Sequence, residues 1–473
     1  MRRIYFDSNV YRDLKKDPSL LERIKNKKDH LLFFFSHAHL LDLNEDESEK
    51  KFDDLNFMEN LVDDNYLSLP YKEPNVNFQK ASPRIAFDGI GTGYKIDPGM
   101  FDLNELLNLH EEDQTPEIKK AMDDFENLLG STMKFNLKSN IEEHQKGQEE
   151  MWQKLIPDIK DEYTYKEWME IVPQLLNNLQ NSGLYKEIRK YSLENLQLSQ
   201  KFNIDIEKFS FDEDLKDTPI QKSFMELVEQ SLTYNDSKEQ HEYLFFITAF
   251  NLLNILGIDK EKNKKAVFVN TINDAQHSYY ASHCEFLVSK DEGFNLKSRV
   301  LYRLLGIETK VMDLNEFDKM LPAISGVNDT DLINYIKFLS HELQHSLIVS
   351  ESYDFKEEKN VINHKLNNHH FDYFNYFNAI DFEEKGYRYL LYSFVDNYST
   401  FTSYIEYEFV TNKVSKLFGV DDNGRLTFSD IDLEEIKINK WIGRQWKFDN
   451  VTYYLSNKSF NRGLTFLIHI YKN

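Results

Sequence analysis

The sequence predicts an α/β protein, and three features of its apolar patterning carry that prediction. Short apolar runs alternate with helix-like stretches over the first 70 residues, the same tight alternation returns between Ala266 and Asn315, and apolar runs in both regions end in aspartates. Arg3 to Phe6 is the first such run, closing in Asp7-Ser8-Asn9. Leu31 to Phe35 is continuously apolar, as a strand buried on both faces of a parallel sheet requires. Ser36 stands as an N-cap before His-Ala-His-Leu-Leu-Asp-Leu, which sets Asp42 about a turn and a half into a helix. A second helix is expected over roughly Glu49 to Val62.

From about Pro74 the character changes. Asp88-Gly89-Ile90-Gly91-Thr92-Gly93 is loop chemistry, and a long polar stretch to about Tyr234 has helical spacing at Ile118 to Leu129 and Trp168 to Leu179. Glu239 to Leu256 reads as a largely buried helix. Ala266 to Val269 runs into a helix holding Asp274, Glu285 to Ser289 is a strand leading to Asp291, and Asn295 to Leu305 is a helix stopped by Gly306. Thr309 to Met312 is a last strand of this block. From about Leu321 to Phe418 the pattern reads as mainly helical, with terminal strands such as Val451 to Leu455 and a hairpin-type turn at Asp422-Asn423-Gly424. No repeat of fixed period is present.

Composition narrows the function classes. Of 473 residues, 57 are Lys or Arg and 80 are Asp or Glu, a formal charge of −23, with 41% apolar residues. That is globular rather than disordered composition, and the length suggests two to four domains. The acidity argues against a protein that coats nucleic acid non-specifically, but not against a nuclease with a metal-neutralised site. Cys284 is the sole cysteine, so no internal disulfide or thiolate cluster forms. No run approaches the ~20 apolar residues of a membrane span, and the first apolar run is too short for a signal peptide. The expectation is a cytoplasmic protein without a membrane partner.

The acids fall at telling places. Asp7 ends a strand, Asp42 lies on the helix after the next strand, Asp274 starts a helix and Asp291 ends the following strand. In an open parallel sheet the carboxyl ends of strands share one rim. Four carboxylates there repel one another unless a cation sits between them, and hard oxygen ligands suit Mg²⁺ or Mn²⁺. Each aspartate alone has an ordinary alternative as a helix cap or a solvated side chain. The case rests on the set.

These residues resemble the PIN domain, a metal-dependent nuclease fold. Ile4-Tyr5-Phe6-Asp7-Ser8-Asn9-Val10 is similar to its opening, and Asn273-Asp274-Ala275-Gln276-His277 through Phe286-Leu287-Val288-Ser289-Lys290-Asp291 is similar to its C-terminal half. The match covers about residues 1–70 and 240–318. The family mostly has glutamate where Asp42 stands here. The resemblance implies a core of residues 1–73 and 239–318 with a parallel sheet, interrupted by a helical insertion at 74–238 and followed by a mainly helical accessory domain at 319–473. It implies that Asp7, Asp42, Asp274 and Asp291 form the catalytic metal site, with Asn9 and Ser289 positioning ligands. Glu292 could serve a second ion, Lys290 could touch phosphate, and His37 and His39 flank the second acid; packing or solvation is the ordinary role for each. Cys284 is expected to fill the core. The implied activity is hydrolysis of RNA phosphodiesters to 5′-phosphate and 3′-hydroxyl ends. An inhibitory or regulatory protein partner, a homo-oligomer, and a toxin or defence role all stay open.

A second motif points elsewhere. His341-Glu342-Leu343-Gln344-His345 matches the His-Glu-x-x-His of zinc metallopeptidases, in which two histidines one turn apart hold zinc and the glutamate is the base. Glu383, Glu384, His364, His369 and His370 are the candidates for a third ligand, none at a diagnostic spacing. A peptidase, or a catalytically silent PIN-like scaffold, is the alternative to the nuclease. The aromatic stretch Phe371 to Phe377 is expected to be buried rather than to stack on bases.

Overall fold

Leu31–Ser36 is buried at every position because it lies inside a parallel sheet. In the computed structural model, β1 (Arg2–Phe6) pairs with β2 (Leu31–Ser36) on one side and, further along the chain, with β7 (Phe286–Val288) on the other, both parallel. With β3 (Asn65–Ser68), β4 (Asn77–Lys80) and β8 (Lys310–Met312) the sheet order is β4-β3-β2-β1-β7-β8. Five of these strands are parallel; β4 runs antiparallel to β3 at the edge. The structure describes residues 2–68, 77–90, 131–134, 153–156, 159–164, 221–232, 242–256, 268–324, 331–354, 359–382, 386–393, 403–438, 440–457 and 464–471, with isolated positions between 138 and 216.

Helix α1 (Ser8–Leu14) follows β1 directly, and α2 (Pro18–Lys25) starts at Asp17, whose side chain accepts from the Leu20 amide at 3.0 Å. Between β2 and β3 lie α3 (His37–Glu45) and α4 (Lys50–Val62). These β-α-β connections place α1 and α3 at the carboxyl rim of the sheet. None of the described helices is long and apolar enough to cross a membrane.

The chain divides into two units. Met1–Arg84, His277–Asp291 and Leu305–Asn473 form the first; Ile85–Gln276 and Glu292–Leu304 form the second. The division falls inside the helix Phe268–Ala281, between Gln276 and His277. In the second unit the helix Glu242–Ile255 buries Phe246, Phe250 and Leu253. Lys297 is buried there; its Nζ donates to Asn254 Oδ1 at 3.3 Å and lies 5.3 Å from the Phe250 ring centroid. Ile118 to Leu129 and most of Trp168 to Leu179 lie outside the described residues.

Four expectations are corrected. The region after Leu321 is not mainly helical. Its helices Leu332–His345, Ser403–Phe418 and Asp430–Lys437 accompany an antiparallel sheet of seven strands, β9 (Leu347–Asp354), β10 (Lys359–His370), β11 (Phe374–Phe382), β12 (Gly386–Tyr392), β13 (Arg444–Phe448), β14 (Val451–Ser456) and β15 (Thr465–Tyr471), in the order β13-β14-β15-β12-β11-β10-β9. The stretch 74–238 is likewise not wholly helical: β4 belongs to the six-stranded sheet, and β5 (Thr132–Lys134) pairs with β6 (Glu162–Thr164). In both places polar residues obscure the two-residue period, because an antiparallel strand needs only one apolar face. Asp422-Asn423-Gly424 does turn, with Gly424 at φ 79°, but it joins two helices rather than two strands. Asp88 to Ile90 end the helix Pro83–Ile90 rather than forming a loop.

The C-terminal sheet has its own aromatic core, in which Phe371, Phe374 and Phe377 pack with Phe418, Trp446, Tyr453 and Phe466. Ion pairs tie this region to the amino ends of the parallel strands within the first unit. Arg3 meets Glu406 at 3.1 Å, Arg2 and His369 meet Glu285 at 3.2 Å, and Asp372 joins His30 at 2.9 Å and Lys413.

Candidate metal centre

At the carboxyl rim, β1 ends where its neighbour β7 ends, and the Asp7 amide donates to the Val288 carbonyl at 3.0 Å. That bond fixes the backbone that presents the Asp7 carboxylate. Ser289, the next residue of the β7 strand, donates its hydroxyl to Asp7 Oδ2 at 2.8 Å and accepts the Asp291 amide at 3.1 Å. Asn9 approaches the same carboxylate oxygen at 3.4 Å. Asn9 and Ser289 thus both contact the Asp7 carboxylate.

Asp42 arrives from α3 and His277 from the helix Phe268–Ala281. One ligand atom each of Asp7, Asp42 and His277 lies within 4.8 Å of the others, and this is the one such group of three or more among the described residues. His277 Nε2 lies 3.0 Å from Asp42 Oδ2. Asp7 is 8% exposed and His277 2%, whereas the Asp42 side chain is 28% exposed, so the centre opens on the Asp42 side.

The histidines are held from behind. His39, three residues before Asp42 on α3, accepts the Ser36 amide at Nδ1 (3.0 Å) and donates from Nε2 to the Phe6 carbonyl at 2.6 Å. Those partners fix one neutral tautomer, and burial lowers its pKa to about 3. The Tyr5 hydroxyl lies 2.8 Å from His277 Nδ1 and 2.6 Å from Ser36 Oγ. A consistent proton order runs from Ser36 Oγ–H to the Tyr5 oxygen, from Tyr5 O–H to His277 Nδ1, and from His277 Nε2–H to Asp42. The two hydroxyls can also point the other way, leaving Nδ1 protonated and Nε2 bare. In that state Nε2 is a ligand lone pair with its ring oriented by a partner, the arrangement metal-binding histidines need.

The two acids are shifted in opposite directions. Burial raises the pKa of Asp7, and the neighbouring Asp42 adds to the rise, against lowering by His277, Ser289 and Asn9. Burial also pushes Asp42 upward, but the charge and hydrogen bond of His277, with Ser8 and His39, outweigh it and hold Asp42 below its ordinary value. Glu45, three residues on, is raised by burial and then by Asp42. Acids crowded at this depth, with an imidazole facing them, match the donor set of a divalent cation.

The structure thus brings together two of the four expected acids, Asp7 and Asp42, and adds His277. Asp291 reaches the centre through Ser289, as a backbone partner, and is not one of the three. Asp274 lies one turn before His277 on the same helix, is half-buried, and is also not one of the three. The Lys290 ammonium, 70% exposed, pairs with Asp13 at 2.9 Å. His37 is half-buried, with Nδ1 3.4 Å from the Tyr66 hydroxyl. Cys284 is buried, and burial pushes its thiol up to about 12, as for a core residue.

The His-Glu-x-x-His segment is helical, within Leu332–His345, but its residues face two ways. His341 and His345 are exposed, their rings stacked with centroids 4.4 Å apart. Glu342 is buried, bonded to His370 Nε2 at 2.8 Å and to the Asn368 amide at 2.6 Å. His370 Nδ1 in turn meets the Tyr335 hydroxyl at 3.1 Å, His369 pairs with Glu285, and His364 lies 2.9 Å from Ser346 Oγ. The candidate base is thus committed to the core, and Glu383 and Glu384 lie outside the described residues. No protein-family model matches the chain, and no curated protein or solved structure matches it.

Proposed function

We propose that this chain is a divalent-metal-dependent endoribonuclease built on a PIN-like core. The observation that carries the reading is the meeting of Asp7, Asp42 and His277 at the carboxyl rim of a parallel sheet. His277 lies 235 residues beyond Asp42 in the sequence, and bringing a second carboxylate against the buried Asp7 is costly unless it serves a cation. The five parallel strands in the order β3-β2-β1-β7-β8, with an aspartate closing the first, support the family reading. RNA as the substrate rests on the resemblance of Asp7-Ser8-Asn9 and of Ser289-Lys290-Asp291 to PIN segments.

Asp7, Asp42 and His277 would hold the ion, which supplies Lewis acidity at a phosphoryl oxygen and lowers the pKa of a water. Two carboxylates with an imidazole suit Mn²⁺ better than Mg²⁺, which prefers oxygen alone. Asp7 is the rigid ligand, pinned by Ser289 and the β7 backbone. Asp42 is the exposed one, facing the side from which substrate enters. Tyr5 and Ser36 orient His277 and accept or return its Nδ1 proton.

The test is cleavage of a mixed RNA pool with Mn²⁺, with Mg²⁺ and with EDTA, by wild type and by Asp7→Asn and Asp42→Asn. The expected result is metal-dependent cutting to 5′-phosphate ends, reduced more than ~100-fold in the variants. Cutting that survives EDTA, or persists in Asp42→Asn, would overturn the proposal.

A further inference from the structure

Beside Asp42, α1, α3 and α4 enclose an open, shallow recess with an empty volume of about 310 Å³, mouth included. Leu43 and Met58 give it an apolar wall; Ser8, Arg12, Asp42 and Asp54 give it a polar one. Ser8 and Arg12 are one turn apart and share a face of α1. The Ser8 hydroxyl hydrogen-bonds Asp42, so Arg12 stands about 6 Å of helical rise beyond a contact of the metal centre.

Arg12 is weakly engaged. Its side chain is 48% exposed, Asp54 lies 4.0 Å from its Nε, beyond hydrogen-bonding distance, and its charge also acts on Asp46 at longer range. Asp54 is already satisfied by Lys15, whose Nζ lies 2.8 Å away. A guanidinium at the mouth of a recess, with its neighbouring carboxylate taken by another cation, keeps its donor fork for an incoming anion. In a chain of net charge −23, a polyanion approaching the rim needs such a local cation.

We propose that Arg12 is a substrate-binding residue that grips a phosphate adjoining the one at the metal centre, leading a single RNA strand along α1. This rests on the nuclease reading of the same site. A grip one turn from the centre contributes to binding and not to the bond-breaking step. Its loss is therefore read in KM and in salt dependence rather than in kcat.

The experiment follows a fluorescein-labelled oligoribonucleotide by anisotropy across a salt series, in Mn²⁺, for wild type, Arg12→Ala and Arg12→Lys. Mn²⁺ affinity is measured on the same proteins by electron paramagnetic resonance. The expected result for Arg12→Ala is oligonucleotide binding weakened about 10-fold, a log–log salt slope shallower by about one, unchanged Mn²⁺ affinity, and partial recovery in Arg12→Lys. Unchanged oligonucleotide affinity in Arg12→Ala would overturn the proposal. So would a parallel loss of Mn²⁺ binding, which would make Arg12 a structural support of the centre. Wild type that binds Mn²⁺ but no oligonucleotide would overturn the RNA reading and Arg12's role with it. Wild type that binds the oligonucleotide through Arg12 but no Mn²⁺ would refute the metal centre alone.

Discussion

His277 owes its orientation to the Tyr5 hydroxyl, 2.8 Å from Nδ1, and that bond is testable by removing one atom. Tyr5→Phe keeps the ring in the core and deletes the partner. The expected outcome is a Mn²⁺ affinity lowered about 10-fold with little change in fold, measured by calorimetric titration against circular dichroism. Asp7 makes the complementary case. Its pKa is raised by burial, so its ionised form opposes folding once the pH exceeds that folded-state value. Asp7→Asn in metal-free protein is therefore expected to be more thermostable than wild type at pH 7, with the order reversed by Mn²⁺ in a thermal melt. Asp7 and Asp42 were legible in the sequence because each follows an apolar run at a predictable distance. His277 was not, because a histidine followed by Tyr279 and Tyr280 on a buried helix reads as core. Its signal is the spacing from Asp274, three residues, which sets both on one helical face.

At the scale of elements, continuous apolarity made β2 readable, and capping and glycine chemistry fixed the neighbouring helices. Ser36 opens α3, and Gly306, at φ 67°, follows the helix Glu292–Leu305. Strands β9 to β12 escaped because Asn, His and Lys occupy so much of β10, where buried Leu366 and His370 carry the inward face. Two changes probe how this C-terminal sheet is built and held. Gly443 sits at φ 85°, and a Cβ there would come within 2.1 Å of the Leu455 carbonyl oxygen. Gly443→Ala is expected to cost about 3 kcal/mol or more in urea denaturation, from backbone strain plus collision with a neighbouring strand. Asp372, 6% exposed, is held well below the usual carboxylate range: His30 and Lys413 oppose and outweigh the effect of burial. A depressed carboxylate stabilises fully above its unfolded value and loses that contribution as pH falls towards its folded one. Asp372→Asn is therefore expected to be about 2 kcal/mol less stable than wild type at pH 7, with the gap closing below about pH 4. Denaturation curves at pH 7, 4 and 2.5 measure it.

Over the whole molecule, the formal charge of −23 and the buried acid centre belong to one account. On the proposed reading, an acidic chain that handles RNA has to concentrate positive charge where the phosphate goes, and a cation held by the three residues, together with Arg12, would be the means. The parallel sheet draws strands from both an early and a late block of sequence, since β1 pairs with β7. The association of the C-terminal sheet with the parallel sheet was not legible in the sequence, because the pairs that make it, Arg3 with Glu406 and His30 with Asp372, are hundreds of residues apart. The central claim is that Asp7, Asp42 and His277 bind one divalent ion between them. Its most direct test is an anomalous difference map from crystals of wild type and Asp42→Asn grown with Mn²⁺. The account predicts a manganese peak within about 2.3 Å of a ligand atom of each of the three residues in wild type, and its loss in the variant. A map with no peak there in wild type, or with the peak unchanged in Asp42→Asn, would contradict it.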